Sequence, residues 1–220
     1  MATAPSRKVA SANGEARPPE GRSALTANQA MRRQRVLVAA LKLAGEGGYD
    51  AVQMREVAAT ADVALGTIYR YFSSKDHLLA AAMAEWTGAL QTQLMNEPPR
   101  GKTPADRLVD VLRRACKNLE RQPLLTAALI TSLSSSGDDV AECTREVERR
   151  MSAITGTVLT DLDPEVRDGV NAVLRHVWYS GLLSWANGRI GITEVGDELE
   201  RAARLLLAAH GSGGSGGPRK

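Results

Sequence analysis

A short apolar repeat followed by a tight turn constrains the fold of this chain more than any other feature. Apolar residues recur there at i, i+3, i+4 and i+7, which predicts one face of a short helix; they are Met54, Val57, Ala58 and Ala61. Residues 62–64 interrupt this period over the length of a tight helix–helix turn. A second short helix is predicted over residues 65–71, anchored by Ile68 and Phe72. The pattern therefore predicts a helix-turn-helix.

The outer side of the second predicted helix combines small, polar and aromatic residues. Hydroxyl and guanidinium groups suit a helix laid against a nucleic-acid groove, because they bind phosphates and base edges. For each tyrosine the alternative is packing against the core. Residues 1–80 hold 11 basic against 7 acidic residues, whereas the rest of the chain holds 17 against 18. The basic excess thus coincides with the helix-turn-helix, although a net charge of +3 is too small to prove a nucleic-acid partner.

Composition and periodicity predict an all-α fold. Ala, Leu, Arg and Glu dominate, and no sustained alternation of apolar and polar residues predicts a strand. Helix start and stop signals divide the chain into nine helices. The first is predicted over about 28–45, ended by glycines 45, 47 and 48. The pattern Ser73-Ser-Lys-Asp76 is typical of a capping box that begins a helix over about 75–95.

Four segments follow from these signals. Residues 1–27 lack periodicity and are predicted to be a disordered N-terminal arm. Residues 28–74 form the predicted helix-turn-helix unit, and residues 75–210 form a second helical region. The Gly- and Ser-rich residues 211–220 are predicted to be a flexible tail.

Several classes of protein do not fit this sequence. No apolar run approaches the length of a membrane span and no secretory signal is visible, which favours a cytoplasmic protein without a membrane partner. Cys116 and Cys143 belong to no metal-binding spacing, so neither a metal nor a cofactor is predicted. The three histidines are far apart and no nucleophile elbow or phosphate loop occurs, which argues against an enzyme. A helical protein-interaction module remains as a rival class.

Four sequence segments together resemble the TetR family of bacterial transcriptional repressors. They read Arg55-Glu-Val-Ala58, Ala61-x-Val63, Gly66-Thr-Ile-Tyr-Arg-Tyr-Phe72 and Lys75-Asp-x-Leu78. The resemblance covers residues 34–79. It implies that residues 28–74 are a three-helix DNA-binding domain and that residues 75–210 are a helical ligand-binding and dimerisation domain. As a whole the chain also resembles mycobacterial repressors of sterol catabolism within that family.

The resemblance implies which residues contact double-stranded operator DNA. The motif positions that carry this role are Arg55, Leu65, Gly66, Thr67, Tyr69, Arg70, Tyr71 and Lys75. Lys75 matches the lysine that grips a phosphate at the start of the following helix. Gln53 and Ala64 depart from the family pattern, which often has Ser or Thr capping each helix of the pair, and this puts both helix starts in question.

The family resemblance also implies a ligand pocket inside the second domain. Apolar stripes there suggest its lining, although each stripe could equally be core: Trp86, Leu90, Leu94, Leu112, Cys116, Leu125, Leu129, Met151, Trp178 and Leu182. Charged residues are sparse on these stripes, which favours a large apolar effector. The closer resemblance implies a sterol-derived coenzyme A thioester; a fatty acyl thioester or a hydrophobic drug is the alternative. Arg113, Arg114 and Lys117 would either meet the phosphates of the thioester or be solvated.

A homodimer is predicted through the last two long helices, because a single helix-turn-helix rarely binds DNA tightly enough alone. The small residues Ser180, Ser184 and Gly188 recur every four positions and would let a partner helix approach closely. An apolar stripe on the final helix, including Leu199, Ala203 and Leu206, would complete the interface. Both stripes could instead belong to the core of one subunit.

Overall fold

The computed structural model describes residues 26–208, apart from the side chains of residues 94 and 95. Within that range the chain forms nine α-helices and no strand. They are α1 (Ala27–Ala51), α2 (Met54–Ala61), α3 (Leu65–Tyr71), α4 (Lys75–Met95), α5 (Pro104–Glu120), α6 (Pro123–Ser132), α7 (Asp138–Gly156), α8 (Pro164–Ala186) and α9 (Ile192–Leu207). The predicted all-α architecture is confirmed.

The first helix is longer than the sequence signals suggested. Thr26 begins α1 with a capping box, in which its hydroxyl accepts from the Gln29 N–H and its own N–H donates to the Gln29 side chain. Residues 26 and 27 therefore belong to this helix start and not to a disordered arm. Residues 1–25 of the predicted arm, and the tail at 211–220, lie outside the described residues. Near its other end α1 is kinked at Gly48, which adopts a φ of 70°. The helix then continues to Ala51, beyond the end predicted at residue 45.

Helices α1, α2 and α3 pack as one unit around a small aliphatic core. Its fully buried members include Val36, Leu37, Val57, Ile68 and Phe72. Ile68 and Phe72 thus anchor α3 as predicted. Asp62 ends α2 in the left-handed conformation with a φ of 51°, which makes the turn before α3 tight.

Helix α4 connects this unit to the rest of the chain. Its N-terminal cap is Ser74, whose hydroxyl accepts from the His77 N–H at 3.1 Å. The predicted capping box from Ser73 to Asp76 is therefore displaced by one residue. The Asp76 carboxylate instead accepts a hydrogen bond from the Tyr49 hydroxyl at 2.5 Å, which joins the start of α4 to the end of α1.

The remaining helices build a bundle around α4. Helix α7 packs along α4, α6 lies against α1, α4 and α8, and α9 lies against α5 and α8. Helices α8 and α9 are antiparallel neighbours that approach closely where Gly181 faces Val195. Gly188 ends the preceding helix with a φ of 68°, and the Arg189 N–H donates back to the Ser184 carbonyl at 2.9 Å. This is the hydrogen-bond pattern of a Schellman helix end.

Candidate nucleic-acid interface and internal cavity

The outer face of α3 presents the side chains that the sequence analysis selected. Tyr69 is 53% exposed, and Gly66 and Arg70 are also exposed. Leu65, Thr67 and Tyr71 are half-buried along the edges of this face, whereas Arg55 is exposed on α2. Each of these residues is therefore at least partly accessible from outside the protein.

Arg70 and Tyr71 form a pair on this surface. The Arg70 guanidinium donates to the Tyr71 hydroxyl at 3.2 Å, and its carbon lies 5.2 Å from the centre of the Tyr71 ring. The ring of Tyr71 in turn meets Phe72 edge-on at 6.4 Å. Because Tyr71 is fixed against the core, it orients a guanidinium that retains most of its N–H donors for an external acceptor.

Lys75 is engaged within the protein to a degree that the sequence did not reveal. Its ammonium lies 3.7 Å from the centre of the Tyr49 ring and donates to the Tyr49 carbonyl at 3.2 Å. Desolvation is the largest effect that raises the pKa of Tyr49 to about 12, followed by the hydrogen bond to Asp76. Lys75 therefore ties α4 to the end of α1, and only its remaining N–H donors are available to a phosphate.

Helices α2 and α3 both begin where the sequence predicts, without the usual side-chain caps. Gln53 and Ala64 occupy the cap positions and make no side-chain capping bond. The Gln53 amide instead donates back to the Asp50 carbonyl at 2.9 Å. The helix starts are thus fixed by packing of residues such as Val57 and Ile68, and the first-turn N–H groups receive no side-chain cap.

A histidine lies where the helix-turn-helix unit meets α7. His77 Nδ1 accepts from the Ser73 N–H at 3.1 Å and lies 3.6 Å from an Asp139 oxygen, which itself accepts from the Ser73 hydroxyl at 2.9 Å. The His77 ring also meets Phe72 edge-on at 5.4 Å. Burial is the largest effect on the pKa of His77 and lowers it, although Asp139 acts in the opposite direction.

The free energy of unfolding should therefore decrease as the pH falls below about 6.5, where an unperturbed histidine begins to bind a proton. The unfolded chain takes up this proton before the folded one, and the stabilisation is fully present only above that pH. The slope from one such group cannot exceed about 1.4 kcal/mol per pH unit. Urea unfolding between pH 5 and 7.5 measures it. His77→Asn keeps an acceptor for the Ser73 N–H but cannot titrate, so an equally steep slope in that variant would contradict the assignment.

An internal cavity of about 360 Å³ lies among α4, α5, α6, α7 and α8. Six of the residues proposed from sequence line it: Trp86, Leu90, Leu112, Met151, Trp178 and Leu182. Further apolar lining comes from Met83, Leu119, Ile130, Leu133, Val147 and Leu174. Its volume lies at the lower end of the range for small-molecule pockets, and its wall is mostly aliphatic and aromatic.

Three of the proposed lining residues lie elsewhere. Cys116 is buried against α9, where it faces Gly196, and burial raises the pKa of its thiol to about 11. Leu125 and Leu129 are buried core residues of α6, whereas Ile130 and Leu133 line the cavity. Because α6 is apolar on all sides, its sequence does not show which side faces the cavity. The side chain of Leu94 is not among those described.

Polar cavity residues were missed by the sequence analysis. The Arg175 guanidinium donates to a Glu148 oxygen at 3.3 Å, and the Thr155 hydroxyl donates to Asn171 at 2.5 Å. Glu148 lies one helical turn before Met151, and Arg175 lies one turn before Trp178. This helical spacing from two proposed lining residues is the signal that would have found them.

The basic residues of α5 do not reach this cavity. Arg113 is bound by Asp197 and Glu200 of α9, and these hydrogen bonds raise its pKa. Arg114 is paired with Asp110 at 2.9 Å. Lys117 borders a separate groove between α5 and α9. The suggestion that these three side chains meet effector phosphates at the cavity mouth is therefore wrong.

Comparisons with known proteins agree with this architecture. Residues 36–82 match the family described as bacterial regulatory proteins, tetR family, and residues 101–206 match a tetracyclin repressor-like C-terminal domain. The HTH-type transcriptional repressor KstR of Rhodococcus jostii is 39% identical over 189 residues, which span 85% of this chain and 88% of that protein. This chain belongs to the TetR family.

Two further TetR-family proteins support the assignment. KstR of Mycobacterium tuberculosis is 36% identical over 180 residues, covering 81% of this chain and 82% of its own length. A crystal structure of a TetR transcriptional regulator from Rhodococcus sp. RHA1 superposes with a TM-score of 0.74 at 33% identity, covering 82% of this chain and 97% of that one. The chain is therefore a TetR-family transcriptional repressor with KstR relatives, and not an enzyme.

The surface proposed for dimerisation needs correction in this TetR-family chain. Leu199 and Ala203 are fully buried within the subunit, because this side of α9 packs on α5 and α8. Leu206 is half-buried, and Gly188 forms the end of α8 described above.

Exposed apolar side chains on α8 and α9 lie instead at Val173 and at Leu205, which is 78% exposed. The antiparallel register of α8 and α9 places these two at the same end of the helix pair, beyond the exposed Ser180 and the half-buried Ser184.

An unpredicted contact joins α7 to α4 in this TetR-family bundle. The Arg150 guanidinium donates to the Ala84 carbonyl at 2.6 Å and to a Glu146 oxygen at 2.6 Å. It lies so close to Gly88 that a Cβ atom there would collide with it. Gly88 thus creates the space in which Arg150 reaches the backbone of α4.

Two further features are absent from residues 26–208. No helix in this range is long and apolar enough to cross a membrane. No group of three or more histidine, cysteine, aspartate or glutamate side chains within it has the arrangement of a metal site.

Proposed function

We propose that this repressor binds palindromic operator DNA as a homodimer and is released by a large apolar effector, a sterol-derived coenzyme A thioester. The observation that carries the proposal is the apolar cavity, because α4 supplies part of its wall and also begins directly beside α3. Met83, Trp86 and Leu90 line the cavity on α4, while Lys75 ties the start of the same helix to α1. An effector that displaces α4 would therefore shift the recognition helices of a dimer.

The resemblance of the sequence to repressors of sterol catabolism supports a sterol-derived effector. The likeness to KstR repressors extends over most of the chain. An effector acts only through its different affinity for the DNA-bound and released states. A tenfold loss of operator affinity requires about 1.4 kcal/mol of coupling, which is within the ordinary range.

The effector class is tested by titration into a preformed protein–operator complex. The compounds are a cholestenoic acid coenzyme A thioester, the free sterol, palmitoyl-coenzyme A and an uncharged hydrophobic drug. Release by the sterol thioester at the lowest concentration is the expected result. Release only by the fatty acyl compound or the drug would reject the sterol assignment but leave the repressor function intact. A complete lack of DNA affinity at low salt would favour a protein-interaction module instead.

The proposal includes contacts to the operator from Arg55, Tyr69, Arg70 and the half-buried residues of α3. Arg70→Ala should weaken operator binding about tenfold. It should also reduce the slope of log affinity against log salt concentration by about two, because each subunit of the dimer loses one phosphate contact. Fluorescence anisotropy at several salt concentrations measures both quantities. Arg149→Ala is the matched control, because Arg149 is exposed on α7, away from α3. An equal loss in the control would show a general charge effect.

Dimerisation is proposed to use the outer face of α8 and α9, with Leu205 at its apolar end. Leu205→Glu should weaken the dimer at least tenfold, because a carboxylate would be buried in the interface without a partner. Sedimentation equilibrium measures the dissociation constant. Leu124→Glu is the control, since Leu124 is 51% exposed on α6. A monomeric unmodified protein at micromolar concentration would contradict the dimer proposal.

A further inference from the structure

We propose that Arg175 binds an anionic group of the effector at the mouth of the cavity, in exchange for its contact with Glu148. The effector would then be an apolar body that carries an anion, and Arg175 a residue that determines this specificity. The inference rests on the proposed function, because it assumes that the cavity receives an effector.

The position of the pair identifies the mouth. Arg175 and Glu148 both line the cavity, yet their side chains are 42% and 37% exposed. Because both side chains line the cavity and are accessible to solvent, we place its mouth at this pair. Two polar contacts, Arg175 with Glu148 and Asn171 with Thr155, cross between α8 and α7, so the pair lies where these two helices meet.

The charged side chains that line the cavity are confined to this opening. Among the described residues that line the cavity, Arg175 is the only arginine or lysine and Glu148 is the only carboxylate. His176, the neighbour of Arg175, also lines the cavity and is exposed. The remaining wall is mostly apolar, with several Thr, Ser, Asn and Tyr side chains. Arg175 is therefore the strongest electrostatic partner that this wall offers to an anionic group of an apolar effector.

The existing ion pair can be exchanged at little cost. A solvent-exposed pair with a single contact contributes little net stability, because water already solvates both groups. The Arg175 guanidinium has five N–H donors, of which one is engaged with Glu148 in this structure. Its planar fork suits two oxygens of a carboxylate or phosphate at once. Glu148 would repel an incoming anion until Arg175 turns to it, and would not hinder an uncharged compound in this way.

Two sources can supply the anion: the carboxylate of a free acid, or the phosphates of a coenzyme A thioester. The probes are a cholestenoic acid, its coenzyme A thioester and its uncharged methyl ester, with palmitic acid, palmitoyl-coenzyme A and methyl palmitate as the corresponding fatty acyl series. Isothermal titration calorimetry measures the affinity of each for the full chain and for Arg175→Gln and Glu148→Gln.

Opposite effects of the two variants are expected for anionic probes. Arg175→Gln should weaken the anionic probe that binds best by about tenfold, whereas Glu148→Gln should strengthen it about threefold. Neither variant should alter the methyl esters, and the difference should shrink at high salt. The probe with the largest effect identifies the source, carboxylate or thioester. Arg149→Gln, which removes the same charge from an exposed position of α7, should leave every affinity unchanged.

Thermal unfolding and operator affinity establish that each variant remains folded. An unchanged affinity of Arg175→Gln for anionic probes, or an equal loss for the methyl esters, would overturn this inference. If probes still bind and release the operator in that case, the proposed function stands without it. If no probe binds the unmodified protein, the proposed effector class and the role of Arg175 are both rejected.

Discussion

Phe72→Ala should lower the free energy of unfolding by about 3–5 kcal/mol and abolish operator binding, because it empties the junction of three helices. Phe72 is fully buried at the end of α3, where it packs edge-on against His77 of α4. The Arg33 guanidinium carbon of α1 lies 5.5 Å from the centre of the same ring. The substitution would therefore release α3 from both of its neighbours.

Tyr69→Ala is the matched control for this prediction. It removes a large aromatic side chain from the same helix, but from the exposed face, so the change in unfolding free energy should be within about 0.5 kcal/mol. Operator binding should nevertheless fall strongly, because Tyr69 is proposed to contact DNA. Urea unfolding and fluorescence anisotropy separate the two effects. A large loss of stability in Tyr69→Ala would contradict its assignment to the DNA-facing surface.

Met151→Trp should produce a repressor that binds its operator but no longer responds to the effector. Met151 lines the cavity on α7, and an indole ring there would occupy space that the effector requires. Overpacking of this kind costs about 1–3 kcal/mol, which should leave the protein folded. Effector affinity should fall at least a hundredfold, measured by calorimetry and by the loss of effector-induced operator release.

Arg149→Trp provides the comparison for this prediction, because it introduces the same ring two residues away on the solvent side of α7. Its effector response should match that of the unmodified protein. A full response in Met151→Trp would mean that the effector binds outside this cavity.

The helix-turn-helix could be predicted closely because local signals determine it. The apolar period over α2, the interruption at residues 62–64 and the anchors Ile68 and Phe72 agree with one another, and no distant contact overrides them. Helix starts with clear capping residues were also predictable. At the start of α5, Thr103 is the N-cap and Pro104 is the first helical residue.

The sequence could not predict which apolar surfaces face the core of the subunit, the cavity or a partner subunit. Leu199 and Ala203 form a regular stripe, but periodicity alone does not show whether a stripe faces its own subunit or a partner. Leu125 and Ile130 are equally apolar, and only the packing of α6 decides which of them lines the cavity. Lys75 was selected from its position in the motif, but it also contacts Tyr49. That contact could not be predicted, because Tyr49 follows the kink at Gly48, 27 residues before Lys75.

The contact between Arg150 and the backbone of α4 divides the cavity wall into two parts with different tolerance to redesign. Helices α4 and α7 are joined by a part-buried hydrogen bond from Arg150 to the Ala84 carbonyl, beside Gly88, and α4 follows directly after α3, the helix proposed to face DNA. The wall contributed by Leu112, Ile130 and Trp178 lies on the other helices and does not include this contact. Under the proposed mechanism, a laboratory that adapts this protein as a biosensor would diversify α5, α6 and α8 to change the compound that is bound, and would keep α4 and α7 unchanged so that binding still acts on α3.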